Sequence, residues 1–175
     1  MNTSAETPLA MASLGLGGNI GDPPAAMGEA LRSLDERGDC DIVAVSRLYK
    51  TPPWGKTDQA DFFNCCALIR TSLQPEALLD VCLGIERAMK RERIERWGPR
   101  TIDIDILTFE GRRSGEGRLI LPHPRMTERG FVLMPLDDIA SDLIVSDRKV
   151  SVWLARADTS GIRAASTDGT WWRES

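Results

Sequence analysis

Histidine and tyrosine occur once each and cysteine four times in 175 residues, and these scarcities exclude several kinds of chemistry. Cys40, Cys65, Cys66 and Cys82 show no CxxC spacing, and His123 is their only imidazole companion. That set does not make a zinc centre, and a disulfide framework does not fit a chain of this size without a secretory signal. Cys65 and Cys66 are neighbours in an apolar run, where a strand would point them to opposite faces as small packing residues. No apolar run reaches the length of a membrane span, and no charged stretch followed by an apolar one opens the chain. The expectation is a cytoplasmic protein with no membrane partner. Neither sign of charge dominates, with 22 Lys+Arg against 26 Asp+Glu and a net charge of −4, so no global basic field recruits nucleic acid. Gly-Lys-Ser/Thr is absent, which excludes a P-loop. Gly15, Gly17 and Gly21 do not form a dinucleotide fingerprint, because Ile20 stands where the third glycine belongs. No internal repeat or second domain is visible. Residues 9–154 read as one domain between a flexible polar tail (1–8) and a Gly/Ser/Thr-rich extension (155–175).

What is present centres on Arg96-Trp97-Gly98-Pro99-Arg100-Thr101-Ile102-Asp103-Ile104-Asp105-Ile106-Leu107. The alternation of Asp and Ile has the period of a β-strand. Asp103 and Asp105 then share one face, about 6–7 Å apart along the strand, while Ile102, Ile104 and Ile106 form an apolar stripe on the other. A pair of like charges held that close calls for cations. Paired carboxylates suit Mg²⁺, and arginines crowd the preceding segment; an ordinary solvated strand face is the competing reading. The run through Lys90, Arg91, Arg93, Arg96 and Arg100 is likewise either a solvated face or a cationic partner for a small anion.

In chain order, a first strand near 9–16 runs into a glycine-rich turn. A helix follows from Pro23 or Pro24 to about Glu36, with Asp22 as N-cap and Met27, Ala30, Leu31 and Leu34 on one face. Strands are expected near 42–49 and 62–71, separated by a loop that opens with Thr51-Pro52-Pro53-Trp54-Gly55, since two prolines cannot continue a ladder. Trp54 is either a lid on a ligand or a cap on the core. Asn64, a polar amide among apolar strand residues, needs either a backbone or a ligand partner. A helix from Pro75 to about Met89 carries Leu78, Leu79, Cys82, Ile85 and Met89 as a core stripe. The Asp103/Asp105 strand (101–108) comes next. His123 is fixed between Pro122 and Pro124 near Arg125 and Arg129, as a local hydrogen-bonding residue or an anion contact. The last helix is expected over Phe131 to Ala140, and Trp171-Trp172 are placed to pack back on the body. The order β-α-β-β-α-β predicts an α+β fold, a ferredoxin-like α/β sandwich with a mainly antiparallel sheet.

Seven colinear blocks now add up to a resemblance. They are Gly17-Gly18-Asn19, Thr51-Pro52-Pro53-Trp54-Gly55, Asp61-Phe62-Phe63-Asn64, Glu86 with Arg91 and Arg93, the long Arg96–Ile106 stretch, Leu121-Pro122-His123-Pro124 and Arg129-Gly130-Phe131. Over residues 12 to 145 the chain resembles the 6-hydroxymethyl-7,8-dihydropterin pyrophosphokinase family, enzymes that pass a pyrophosphoryl group from ATP to a pterin alcohol, and the chain is expected to act as a monomer. The resemblance implies that Asp103 and Asp105 hold two Mg²⁺ ions and, with Arg91 and Arg100, form the catalytic set. It implies ATP contacts from Arg91, Arg93, Trp97, Arg100, Arg118, His123 and Arg129. Pterin contacts would come from Thr51, Pro52, Pro53, Trp54 and Asn64, with Phe62 and Phe131 on either side of the ring, and Glu86 would orient the network. Three departures accompany it: Gly18 replaces a common Ser, Phe62 stands where Tyr is also common, and Lys90 takes a position often held by Gly. Rival readings from the residues are another Mg²⁺-dependent nucleotidyl or phosphoryl transferase, and an RNA-binding module with stacking aromatics on its sheet.

Overall fold

The computed structural model describes residues 7–53, 58–95 and 102–173, and for 91–95 the helical backbone alone. Strand β1 (Ala10–Gly18) buries Ala12, Leu14 and Leu16 on one face. Helix α1 (Pro23–Asp35) starts as its sequence dictates: Asp22 Oδ1 accepts from the Ala25 N–H at 3.2 Å, and proline occupies the first helical positions. Met27, Ala30, Leu31 and Leu34 are fully buried against the sheet. Each of the larger ones stabilises the fold by about 1.5–3 kcal/mol relative to exposure. Helix α2 (Pro75–Glu95) runs past the expected end at Met89, because the Lys/Arg/Glu segment that follows consists mostly of good helix formers.

The main sheet is antiparallel throughout. β5 (Asp103–Phe109) lies beside β1, and β1 beside β4 (Phe62–Thr71). The far side of β4 is shared by β2 (Cys40–Val45) and β3 (Tyr49–Thr51). This is the ferredoxin-like α+β sandwich expected. Helices α1 and α2 cover one face over Leu14, Leu16, Ile69, Ile102, Ile104 and Ile106. The opposite face receives α3 (Gly130–Ala140), then the hairpin of β6 (Ile144–Val145) and β7 (Arg148–Lys149), and α4 (Val150–Arg156). Their core holds Cys66, Leu107, Met126, Leu133 and Leu136. Cys65 belongs to the first cluster and Cys66 to the second, as adjacent strand residues must.

Two expectations are corrected. Gly17 and Gly18 lie inside β1 and not in a turn; Gly21, with φ of 71°, makes the turn. The strand expected over 42–49 is interrupted at 46–48. There Ser46 Oγ accepts from the Cys66 N–H at 2.9 Å and donates to the Arg47 carbonyl at 2.7 Å. The edge groups of the break are taken by the C-terminal segment. The Leu48 N–H donates to Ser166 Oγ at 2.9 Å, the Ala165 N–H to the Leu48 carbonyl at 2.6 Å, and Trp171 Nε1 to the Ser46 carbonyl at 2.9 Å. β8 (Arg163–Ala164) pairs with β3, and Trp172 is buried in the first core. The polar composition past Ala155 concealed a piece of the sheet. Residues 1–6 of the expected tail lie outside the described residues.

One polar cluster ties α3 to this break. Asp138 accepts from the Arg47 backbone N–H at 3.1 Å, from Arg47 Nε at 3.0 Å and Nη2 at 2.9 Å, and from Tyr49 Oη at 2.9 Å. Burial pushes the Asp138 carboxyl up, but the hydrogen bonds from Arg47 and Tyr49 outweigh it and hold the group below its ordinary value. Burial and the neighbouring carboxylate push the Tyr49 phenol up to about 12. Asp138→Ala leaves the buried tyrosine hydroxyl without its acceptor and is expected to cost about 1–3 kcal/mol by urea unfolding at pH 7. A lowered folded pKa contributes stability above the unfolded value, so the difference between variant and wild type should shrink as pH falls below about 4.

Candidate functional site

The register of three strands builds the site. Gly17 pairs with Asn64 of β4 on one side and Asp103 of β5 on the other; Gly15 pairs with Cys66 and Asp105 in the same way. Two cross-strand rows therefore have glycine at the centre and a functional group at the end. These rows, with Thr51, Phe62, Leu107, Arg129, Phe131 and Val132, line a cavity of about 370 Å³ between the sheet and the start of α3. A methyl group at Gly17 would lie 2.5 Å from Asn64 Oδ1, so the amide occupies the space that a side chain there would take.

The Asp103/Asp105 alternation places both carboxylates on the exposed cavity face, with Ile104 and Ile106 buried behind them. β5 is an edge strand, and its outer side is held by Glu86 of α2, whose Oε1 accepts from the Ile104 N–H at 2.6 Å. Burial pushes Glu86 up, the hydrogen bond from Ile104 draws it back, and Asp103 adds repulsion. Burial also pushes Asp105 above the usual carboxylate range; His123 draws it down and Asp103 pushes it further up. Among the described residues no third His, Cys, Asp or Glu joins the pair to make a closed metal cage. Two carboxylates open to a cavity are the donor set that suits Mg²⁺ shared with phosphate oxygens and water.

The other expected residues divide. Thr51, Phe62, Asn64, Arg129 and Phe131 join the pair around the cavity. Thr51 Oγ1 is buried there without a partner among the described residues, and the Arg129 guanidinium sits 5.7 Å from the Phe131 ring centroid. Pro52 and Pro53 follow Thr51 in the chain and do not line the cavity. His123 is near Asp105 but lines an adjoining surface pocket with Pro122, Pro124 and Thr127. Its Nδ1 accepts from the Arg125 N–H at 3.3 Å, and burial holds its pKa below the usual value against the pull of Asp105. Arg118 is elsewhere, bound to Asp80 at 2.6 Å and Glu76 at 3.5 Å on the first turns of α2. Trp54, Trp97 and Arg100, and the side chains of Arg91 and Arg93, lie outside the described residues. Sequence reasoning missed Gly15, Gln59, Cys66, Leu107 and Val132 as lining residues. For Gly15 a signal existed, since its alternation with Leu14 and Leu16 marks the face opposite the core.

A family model described as 7,8-dihydro-6-hydroxymethylpterin-pyrophosphokinase matches residues 13–141. The chain belongs to that family. The 2-amino-4-hydroxy-6-hydroxymethyldihydropteridine pyrophosphokinase of Methylorubrum extorquens is 50% identical over 151 residues, covering 86% of this chain and 96% of the relative. Its Bacillus subtilis counterpart is 40% identical over 153 residues, covering 87% and 89%. Among solved structures, the Plasmodium falciparum HPPK-DHPS chain crystallised with pteroate aligns with a TM-score of 0.69 at 17% identity. The alignment covers 87% of this chain and 43% of that longer one, and what it shares is the fold.

The raised pKa of Asp105 has a consequence for stability. A carboxyl whose folded pKa lies above its unfolded value supports folding at low pH and opposes it once ionised. Asp105→Asn is therefore expected to melt at or above the wild-type temperature at pH 7, and to lose that advantage in thermal scans below about pH 4.

Proposed function

We propose that this cavity is where the chain, as a pyrophosphokinase of its family, passes pyrophosphate from ATP to 6-hydroxymethyl-7,8-dihydropterin, giving the pterin pyrophosphate and AMP in folate biosynthesis. The observation that carries the reading is the pair of cross-strand rows, in which Asn64 and Asp103 flank Gly17 while Cys66 and Asp105 flank Gly15. They set a ring-recognising amide and a carboxylate pair on one continuous floor.

The ring end is formed by Thr51, Phe62, Asn64 and Phe131, with Pro52, Pro53 and Trp54 following Thr51 in the chain. A flat ring between Phe62 and Phe131 gains stacking contact on both faces. The Asn64 amide and the buried Thr51 hydroxyl offer hydrogen bonds that fix its orientation. The phosphate end is formed by Asp103, Asp105 and Arg129, with His123 beside them and Arg91, Arg93, Trp97 and Arg100 contributed by the segment before β5. Asp103 and Asp105 would hold Mg²⁺, which when bound neutralises charge on the triphosphate oxygens. Glu86 orients this end by pinning the backbone between the two aspartates. Arg118, paired with Glu76 and Asp80, reaches ATP only by exchanging those partners for phosphate.

With the ring fixed, its hydroxymethyl oxygen is presented to the β-phosphorus. The new O–P bond forms as the bond from the β-phosphorus to the α–β bridging oxygen breaks, AMP departs with that oxygen, and the hydroxyl proton is lost. Such a transfer depends on positioning and charge neutralisation more than on covalent help from the protein.

The protein mixed with ATP, Mg²⁺ and the pterin alcohol is expected to form AMP and pterin pyrophosphate in equal amounts. ADP formation, or AMP without pterin pyrophosphate, would contradict the reading. Gly17→Ala, whose methyl displaces the Asn64 amide, is expected to fold normally and to raise the KM for the pterin alcohol by at least about tenfold, the equivalent of one hydrogen-bonded contact of about 1.4 kcal/mol. Steady-state kinetics with each substrate varied in turn checks this, the KM for ATP staying near wild type.

A further inference from the structure

Three residues next in the chain to cavity-lining ones meet one segment that itself supplies none of the lining. Residues 157–165 leave α4 and return to the sheet as β8. The Ser160 N–H donates to Asp158 Oδ1 at 2.9 Å, and the Ile162 N–H to the Thr159 carbonyl at 3.1 Å. Between these turns Gly161 has φ of 77°, a backbone region that only glycine enters freely. A methyl group at Gly161 would stand 3.1 Å from Cγ and Cδ of Pro52, so the bare backbone abuts the proline ring. One residue before Phe131, Gly130 meets the same segment: a methyl there would overlap the Asp158 carbonyl and come within 3.3 Å of Ile162 Cδ1. Arg163 then approaches Asp61 at 3.8 Å, a carboxylate that Lys50 also approaches at 3.6 Å. In register, Arg163 pairs with Lys50 and Ala164 with Tyr49.

Pro52 and Asp61 are the two ends of the loop that joins β3 to β4, adjacent to Thr51 and Phe62; Gly130 is the first residue of α3. We infer that residues 158–164 are a positioning strap that sets the width of the ring-binding end of the cavity, by holding both ends of the 52–61 loop against the start of α3. The inference rests on the reading that Phe62 and Phe131 flank the pterin ring. Two stacked contacts require a gap of about 7–8 Å between the flanking planes, and a gap widened by 0.5–1 Å forfeits about a quarter to a half of the dispersion well on one side. No residue of the strap lines the described cavity near Asp103 or Asp105. Two of its three contacts fall on Pro52 and Asp61, beside Thr51 and Phe62, so its influence is greater on the ring than on the phosphates, and Gly161 acts through Pro52 as a positioning residue.

The test is Gly161→Asn. Asparagine tolerates the left-handed backbone better than other side chains, so the fold is kept while its Cβ presses on Pro52. Binding is measured on the full chain with Mg²⁺ and α,β-methylene-ATP, whose α–β bridge does not cleave, followed by titration of the pterin alcohol. The expected result is a pterin Kd raised about tenfold with the nucleotide Kd within about twofold of wild type, and a kcat at saturating pterin within about threefold. A folded variant with unchanged pterin affinity, or with both ligands weakened equally, would overturn the strap. Should Gly161→Asn fail to fold, Arg163→Ala leaves the backbone untouched and is expected to raise the pterin Kd about threefold, the scale of an exposed ion pair; an unchanged value there refutes the inference equally. Wild-type protein that binds no pterin alcohol would defeat the functional reading itself, a result distinct from either variant outcome.

Discussion

The site depends on a gap in strand β1. A strand at the centre of a sheet normally fills both of its faces with side chains, and past Ser13 β1 fills only one. Toward α1 and α2 it sends Ala12, Leu14 and Leu16; toward α3 it presents Gly15 and Gly17. The bare backbone makes a floor on which side chains from both neighbouring strands converge. Antiparallel pairing fixes which ones they are: Asn64 and Cys66 from β4, Asp103 and Asp105 from β5. A one-residue slip in either register would turn the amide or the carboxylates into the apolar core. The Asn64 amide and the carboxylate pair are thus held in register by the same backbone hydrogen bonds that hold the sheet.

Around this floor the protein keeps charges that its own folding does not favour. Glu86 and Asp105 are both pushed above their ordinary pKa values by burial, and Asp103 adds repulsion to each. A structure selected for stability alone has no use for three carboxylates so close together. They make sense as one half of an electrostatic arrangement completed by a ligand, which under the proposed function would be Mg²⁺ with a polyphosphate. The Arg47–Asp138–Tyr49 cluster is the opposite case. Its hydrogen bonds are complete, the carboxyl is held below its usual value, and its effect is to anchor α3, which carries Phe131 at its first turn, to the sheet.

The chain's last quarter shows why composition misleads about packing. Past Ala155 the residues are polar and small, yet Gly130, Gly161 and Gly169 each mark a place where backbone meets backbone or a proline ring with no room for a side chain. Close approach of this kind leaves no apolar periodicity to read. Trp171 and Trp172 were the visible hint: Trp171 donates to the Ser46 carbonyl in the 46–48 break, and Trp172 is buried in the first core.

From residues 10 to 109 the pattern of apolar periods, Pro and Gly breaks and one N-cap determined the order of elements, because strand and helix periods are local properties of the chain. The same locality determined that Asp103 and Asp105 share a face and that Ile102, Ile104 and Ile106 anchor the other. It misjudged Gly17 and the 46–48 break, since a glycine reads as a turn unless its cross-strand neighbours are known, and an interrupted strand reads as continuous until the segment that docks on it is seen. Only the tertiary structure decided which residues meet. It brought Asn64 beside Gly17, paired Arg118 with Glu76 and Asp80 on α2, and set residues 158–164 against Pro52 and Gly130. Those are contacts between residues tens of positions apart, fixed by register and close packing, and nothing in a local window of sequence encodes them.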